Sequence, residues 1–273
     1  MTATAGLKEE KRLNEQGFSR IGGIDEAGRG PLAGPVCAAV VVFEPGVRIR
    51  GVNDSKLVPP EERERLYDKI AEKALAFGIG FATCGEIDEI NILRATHLAA
   101  RRALRALPII PDFLLLDALR LERCTIPQQS FVKGDSRCFT IAAASIMAKV
   151  SRDRLMVRYS EDYPHYNFHE HKGYATPTHR KLINDHGPCT LHRRTFLTDW
   201  FGTIECRNSI SMDELLKQLA LCANHDDLSA WIAKLRAKRD YLPRCEWLEL
   251  VNQARRRHEQ LAQPEKVCAA AVL

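Results

Sequence analysis

The stretch FSRIGGIDEAGRGPLAGPVCAAVVVF, residues 18–43, constrains this chain more than any other. It reads as a strand from Arg20 to Glu26, a glycine-rich connection from Ala27 to Gly34, and a second strand from Pro35 to Phe43. The second strand is rich in Val and Ala, as buried strands are. Successive strand residues point to opposite faces, so Asp25 and Glu26 cannot share one solvated side. At least one of them should meet an apolar environment, which is costly unless something compensates. For an isolated Asp-Glu pair, a strand end whose acids reach solvent is a sufficient explanation.

The remaining punctuation extends this start into an α/β domain. Residues 1–16 are polar and expected to fray. Glu61 to Phe77 reads as a helix after Pro59-Pro60, with Leu66, Ile70, Ala74 and Phe77 on one face and Gly78 as a stop. FGIGFAT, residues 77–83, reads as a strand, and Asp88 to Leu107 as a helix ending at Pro108. FLLL, residues 113–116, is apolar on both faces, which implies a sheet covered on both sides. Ser130 to Lys133 is a short strand and Phe139 to Tyr159 a strong helix. In TPTHRKLINDHGP, Thr176 can N-cap, Pro177 fits the first helical position, Gly187 ends the helix and Pro188 blocks its continuation. The order predicts a mixed sheet flanked by helices.

Near Thr203 the pattern changes. Residues 205–273 contain no Gly and no convincing strand, and helices are expected at Met212 to Leu221, Leu228 to Arg239 and Trp247 to Gln260. The expected division is a polar tail over 1–16, a catalytic-looking domain over 17–204 and a helical extension over 205–273. The extension must bury Leu215, Leu219, Trp231, Leu235, Trp247 and Val251 against itself or the preceding domain. Arg255, Arg256 and Arg257 could reach phosphates, but 11 Lys+Arg against 10 Asp+Glu leave a net of only +1 there.

Composition excludes several classes. No apolar run approaches the roughly 20 residues of a membrane span, and the N-terminus has no signal-peptide h-region. The nine cysteines are widely spaced, with no CxxC, so free thiols in a reducing cytoplasm are expected. The net charge of +5 is compatible with a polyanionic partner, and equally with an ordinary basic enzyme.

Chemistry concentrates in four acids. Asp117 ends FLLLD, where sites in open α/β sheets cluster, although a turn cap would also explain it. Asp135, in VKGDSRCFTIAAAS, precedes the Ala-rich helix, where Asp is a favoured N-cap. If these two meet Asp25 and Glu26 at one sheet edge, the charges repel, and Mg²⁺ or Mn²⁺ would relieve that repulsion. Two such ions about 4 Å apart can clamp a phosphodiester for in-line hydrolysis. The turn Gly28-Arg29-Gly30 allows close backbone approach to a ligand, but as a bare motif it is weak. Lys56 in NDSKL follows an Asx-type turn and could contact a phosphate. His192, Arg193 and Arg194 suit phosphate contacts or a solvated charge run equally. Asp153 is explained by i,i+4 pairing. His165, His169, His171 and His179 match no zinc spacing and read as loop histidines near a polyanion.

IGGIDEAGRGPLAGPVCAAVV, NDSKL, LLLDAL, VKGDSRCFTIAAASIMAKVSRDR and HKGYATPTHRKLINDHGPCTLHRRTF resemble, in order, the blocks of type 2 ribonuclease H, ribonuclease HII. The resemblance spans roughly residues 18–200. It implies an RNase H-like mixed five-stranded sheet and a metal-dependent endonuclease. It implies that Asp25, Glu26, Asp117 and Asp135 ligate two Mg²⁺ or Mn²⁺ ions. By the same resemblance, Gly28, Arg29, Gly30 and Tyr174 sense a ribose 2′-OH, and Lys56 contacts phosphate. The implied partners are RNA–DNA hybrids and DNA containing ribonucleotides, cut 5′ of the ribonucleotide to leave a 3′-hydroxyl and a 5′-phosphate. No membrane and no obligate protein partner is implied, and a monomer is expected. Two other readings are a nucleic-acid-binding module of this fold without catalysis, which would need a missing carboxylate, and ribonuclease HIII, which would need a further N-terminal domain.

Overall fold

The computed structural model describes residues 5–201, 212–236 and 244–262. The chain forms two compact units. The first holds the residues up to Met156, with Lys172–Tyr174 and Arg193–Leu197; the second holds Val157–His171, Ala175–His192 and Thr198 onward. The expected boundary between 204 and 205 lies outside the described residues.

The first unit is organised on five strands: β1 (Ile21–Ala27), β2 (Val36–Val42), β3 (Ala76–Ala82), β4 (Phe113–Asp117) and β5 (Gln128–Phe131). Their order is β3-β2-β1-β4-β5. β2 pairs antiparallel with both β1 and β3, whereas β4 pairs parallel with β1 and β5. The helices of this region are α1 (Lys8–Glu15), α2 (Pro60–Lys73), α3 (Cys84–Arg105) and α4 (Phe139–Asp162).

All seven residues of β2 are buried, as its Val/Ala composition predicts for a strand covered twice. Cys37, Ala39 and Val41 pack with Leu66 and Ile70 of α2 and Ile146 of α4. Val36, Ala38 and Val40 pack with Ala95, Ala99 and Ala103 of α3. This two-residue alternation assigns each face of the central sheet its own apolar layer. Register then positions the acids. Ile24 pairs with Leu116 across the parallel β1–β4 ladder, so the next residues, Asp25 and Asp117, lie side by side at the carboxyl ends of both strands.

Three expectations are corrected here. Residues 8–15 form α1 rather than a frayed tail, because Leu13 is buried and the Glu10 carboxylate accepts from Thr140 N (2.9 Å) and Oγ1 (3.0 Å). Helix α2 ends at Lys73, and Phe77 and Gly78 belong to β3, pairing with Val41 and Val40. Gly78 is therefore no helix stop: a Cβ there or at Gly80 would overlap the Ala103 or Ala99 carbonyl of α3, so both glycines let that helix sit on the sheet. Helix α3 starts at Cys84, four residues before the expected Asp88, because Thr83 and Glu86 close a capping box.

The second unit contains α5 (Phe168–His171) and α6 (Pro177–His186); α7 (Arg194–Phe201) follows in the chain. Helix α6 has the expected cap, with Thr176 Oγ1 accepting from His179 N at 3.2 Å, and ends at Gly187 with φ 76°. Then come α8 (Met212–Ala220), α9 (His225–Arg236) and α10 (Arg244–Ala262). Leu215, Leu219, Leu228, Trp231, Leu235 and Leu250 form one cluster among these three helices. Val251 is half-buried, and the Trp247 side chain lies outside the described residues. Arg257 donates to the carbonyls of Ala220 (3.2 Å) and Cys222 (2.8 Å), so it serves the end of α8 and does not reach out to phosphate. Among the described residues no helix is long and apolar enough to cross a membrane.

Candidate active site

Asp25, Asp117 and Asp135 converge at the carboxyl ends of β1 and β4, with one ligand oxygen from each lying within 4.8 Å of the others. Asp117 is oriented by the Gly134 amide, which donates to its Oδ1 at 2.6 Å. Asp135 arrives on a single 3₁₀ turn, Gly134–Ser136, entered through Lys133 in the left-handed region (φ 56°). That turn converts the end of β5 into the start of α4 and presents Asp135 to β4. Asp25 Oδ1 accepts from the Glu26 amide at 2.7 Å.

The electrostatics are those of crowded like charges. Burial, then the Glu26 and Asp117 charges, holds the Asp25 carboxyl well above the usual carboxylate range. Burial, then Asp54 and Asp117, pushes Asp135 up to about 6. Glu26 is also raised by burial, although Arg29 opposes this through a 3.2 Å ion pair. Glu26 is thus outside the three-acid cluster itself but within the field of Asp117. A hard divalent cation fits such a donor set, because oxygen ligands suit it and its charge relieves the repulsion.

Lys56 faces the same acids, since its charge lowers both Glu26 and Asp135. It stands on the expected Asx turn, with Lys56 N donating to Asp54 Oδ1 at 2.9 Å. Sequence reasoning passed over Asp54 itself, although it sits two residues from Lys56 in the same NDSKL block. Asp153 pairs with Lys149 at 2.9 Å, i,i+4 on α4, as expected.

Gly28 has φ 90°, and a Cβ there would overlap the Arg152 guanidinium. Only glycine takes that conformation at no steric cost, which gives the GRG turn its structural reason. Leu32 N and Ala33 N both donate to Gly173 O, tying the Gly28–Gly34 loop to the segment that carries Tyr174. Tyr174 is 40% exposed, and its ring lies near Lys149 Nζ (5.4 Å) and the Arg152 guanidinium (5.7 Å).

Two expected phosphate contacts are corrected. Arg193 is fully buried and donates to the carbonyls of Gly28, Arg29 and Gly34, leaving it no route to a phosphate. His192 is buried too, with Nε2 3.1 Å from His179 Nε2 and Nδ1 accepting from Cys189 N at 3.0 Å. Burial drives its pKa down to about 3, assisted by His179. His171 and His179 stack at 4.1 Å, so these are packed interior rings and not loop histidines. Arg152, which sequence reasoning missed, lies one turn from Ala148 and Met156 on the buried face of α4; an arginine in that apolar register was the available signal.

The sequence pattern described as Ribonuclease HII matches residues 22–199. The chain belongs to the ribonuclease HII family. A ribonuclease HII of Moorella thermoacetica is 50% identical over 204 residues, covering 72% of this chain and 99% of the relative. One from Geobacter sp. (strain M21) is 53% identical over 190 residues, covering 70% and 83%. Among solved structures, ribonuclease H2 from Pyrococcus horikoshii OT3 aligns with TM-score 0.55 at 27% identity, over 64% of this chain and 93% of its own. The ribonuclease HII of an Archaeoglobus fulgidus complex with PCNA aligns with TM-score 0.56 at 27% identity, over 64% and 94%. Membership of the ribonuclease HII family makes the chain a hydrolase, an endoribonuclease acting on RNA paired with DNA. Helices α8 to α10 lie beyond the residues matched to ribonuclease HII.

Proposed function

We propose that this ribonuclease HII cuts the RNA strand of RNA–DNA hybrids and also cuts on the 5′ side of ribonucleotides embedded in duplex DNA, leaving a 3′-hydroxyl and a 5′-phosphate. The observation that carries this reading is the convergence of Asp25, Asp117 and Asp135 in the same unit as Tyr174 and the GRG turn, which is exposed at Arg29 and Gly30. Asp25, Glu26, Asp117 and Asp135 would hold two divalent ions, Mg²⁺ or Mn²⁺. Bound there, these ions would supply Lewis-acid charge to the scissile phosphodiester and an activated water. The chain's own residues do the rest. The Gly134 amide and the Glu26 amide aim Asp117 and Asp25, and Arg29 tethers Glu26 beside them. The backbone of Gly28, Arg29 and Gly30 reads the 2′-OH, which an RNA-containing duplex displays in its wide minor groove. Tyr174 packs against the sugar, and Lys56 contacts a phosphate near the acids. The catalytic domain is taken to span residues 17–204.

The test is cleavage of a labelled DNA duplex carrying one ribonucleotide, with EDTA, Mg²⁺ or Mn²⁺. A single cut 5′ of the ribonucleotide, dependent on metal, is expected. Tight binding without any cut at saturating metal would favour a non-catalytic binding module. A cut in all-DNA duplex would refute the 2′-OH reading.

A further inference from the structure

Arg193 and Arg152 are the largest fully buried side chains among the described residues. Their hydrogen bonds go to backbone carbonyls and not to carboxylates. Arg193 donates from Nη1 to Arg29 O (2.8 Å), from Nη2 to Gly28 O (2.6 Å) and Gly34 O (2.8 Å), and from Nε to Gly34 O (2.9 Å). Arg152 donates to Pro35 O (2.9 Å), Ala33 O (3.0 Å) and Lys172 O (2.9 Å). Burying two guanidinium ions without counter-charges is expensive, and each makes its donors converge on one loop. The two forks therefore grip both flanks of residues 28–35, and Arg152 adds the segment leading to Tyr174.

The grip has a directional consequence. No peptide bond among the described residues is cis. In a planar trans peptide, the C=O of one residue and the N–H of the next point in opposite directions. Arg193 draws in the carbonyls of Gly28 and Arg29, so the N–H groups of Arg29 and Gly30 point away from it. Both residues are exposed, and a Cβ on Gly30 would meet nothing within 4 Å. Neither amide has a protein acceptor among the described residues. Two donors are thus held outward by a buried cation on their reverse side.

We propose that Arg193 is a positioning residue for ribonucleotide recognition, turning the Arg29 and Gly30 amides toward the 2′-OH while Arg152 holds the far flank of the same loop. This rests on the proposed reading of the GRG backbone as the 2′-OH sensor. Lysine at 193 keeps the charge but cannot span three carbonyls with a fixed fork. Losing one well-aimed hydrogen bond corresponds to about a tenfold change in affinity.

The experiment compares Kd for a DNA duplex carrying one ribonucleotide with Kd for the same all-DNA duplex, in EDTA, for the parent and Arg193→Lys. The parent should prefer the ribonucleotide duplex. Arg193→Lys should shrink that preference about tenfold while Kd for all-DNA stays within about twofold, because phosphate contacts are untouched. An unchanged preference in folded Arg193→Lys would overturn the role of Arg193 and leave the sensor reading intact. Equal weakening of both duplexes would also overturn it, since a merely structural residue does that. A parent without any preference would instead overturn the sensor reading beneath it. If Arg193→Lys does not fold, Arg193→Gln carries the same comparison, and failure of both to fold would make Arg193 a core residue and end the proposal.

Discussion

Replacing Asp25 by Asn should stabilise the metal-free protein while abolishing its chemistry. Asn keeps the Oδ1 that accepts the Glu26 amide at 2.7 Å, so the local geometry survives and only the charge is lost. Oxygens of Asp25, Asp117 and Asp135 lie within 4.8 Å of one another. At that separation a like-charge pair costs about 1 kcal/mol at the dielectric of water and about 3.5 kcal/mol at an effective dielectric of about 20. Asp25 is nearly inaccessible, so the upper part of that range applies, and a gain of about 2–3.5 kcal/mol is expected at pH 8 in EDTA. The sign follows from linkage. Because the folded-state pKa of Asp25 is raised, its penalty is absent below the ordinary carboxylate pKa and builds as pH rises toward the raised value. The advantage of Asp25→Asn should therefore be larger at pH 8 than near pH 4, where it fades. Urea denaturation of both proteins at the two pH values measures it. Adding Mn²⁺ at a hundred times its Kd should raise the stability of the parent by about 2.7 kcal/mol and that of the variant by less. An Asp25→Asn protein no more stable than the parent in EDTA at pH 8 would refute the claim that these carboxylates repel one another in the native state.

Other substitutions test separate parts of the molecule. Asp117→Asn keeps the acceptor for Gly134 N, so it should fold normally yet lose at least about 100-fold in kcat on a single-ribonucleotide duplex, measured at saturating Mg²⁺. His192 is held near 3 by burial, so the parent should lose about 1.4 kcal/mol per pH unit through this group as pH falls below about 6.5. His192→Asn should lose that much less per unit in urea melts between pH 6.5 and 4.5, and identical acid slopes would remove His192 from the account. Gly23→Ala would push a methyl into the Thr140 backbone and should cost about 3 kcal/mol in thermal unfolding, with α4 displaced from β1.

Much of the catalytic sheet was legible because local chemistry and tertiary structure agree there. The Val/Ala run of β2 can only be a strand covered twice, and FLLLD ends on its acid as a buried strand must once it meets water. The cap Thr176 and the terminator Gly187 mark α6 because each satisfies a backbone requirement within a few residues. Where reading failed, the deciding partner was distant in sequence. Gly78 reads as a helix stop until Ala103 of α3, about 25 residues later, needs its missing Cβ. The segment 8–15 reads as a frayed tail because its partner, Thr140, lies 130 residues from Glu10. Arg193 reads as a phosphate contact because arginine beside histidine is usually solvated, whereas its acceptors lie about 160 residues upstream.

The alternation that covers the sheet, the acids at strand ends and the order of the blocks follow from side-chain type and spacing of two, three or four residues, so they can be read along the chain. That Asp25, Asp117 and Asp135 meet, that Glu26 stands beside rather than within their cluster, and that two arginines face inward are consequences of the folded chain. Convergence of charges depends on the parallel β1–β4 register, which aligns residues 92 positions apart. The direction of an arginine depends on whether enough unpaired carbonyls surround it to replace water, and that is settled only when the loop has folded around it.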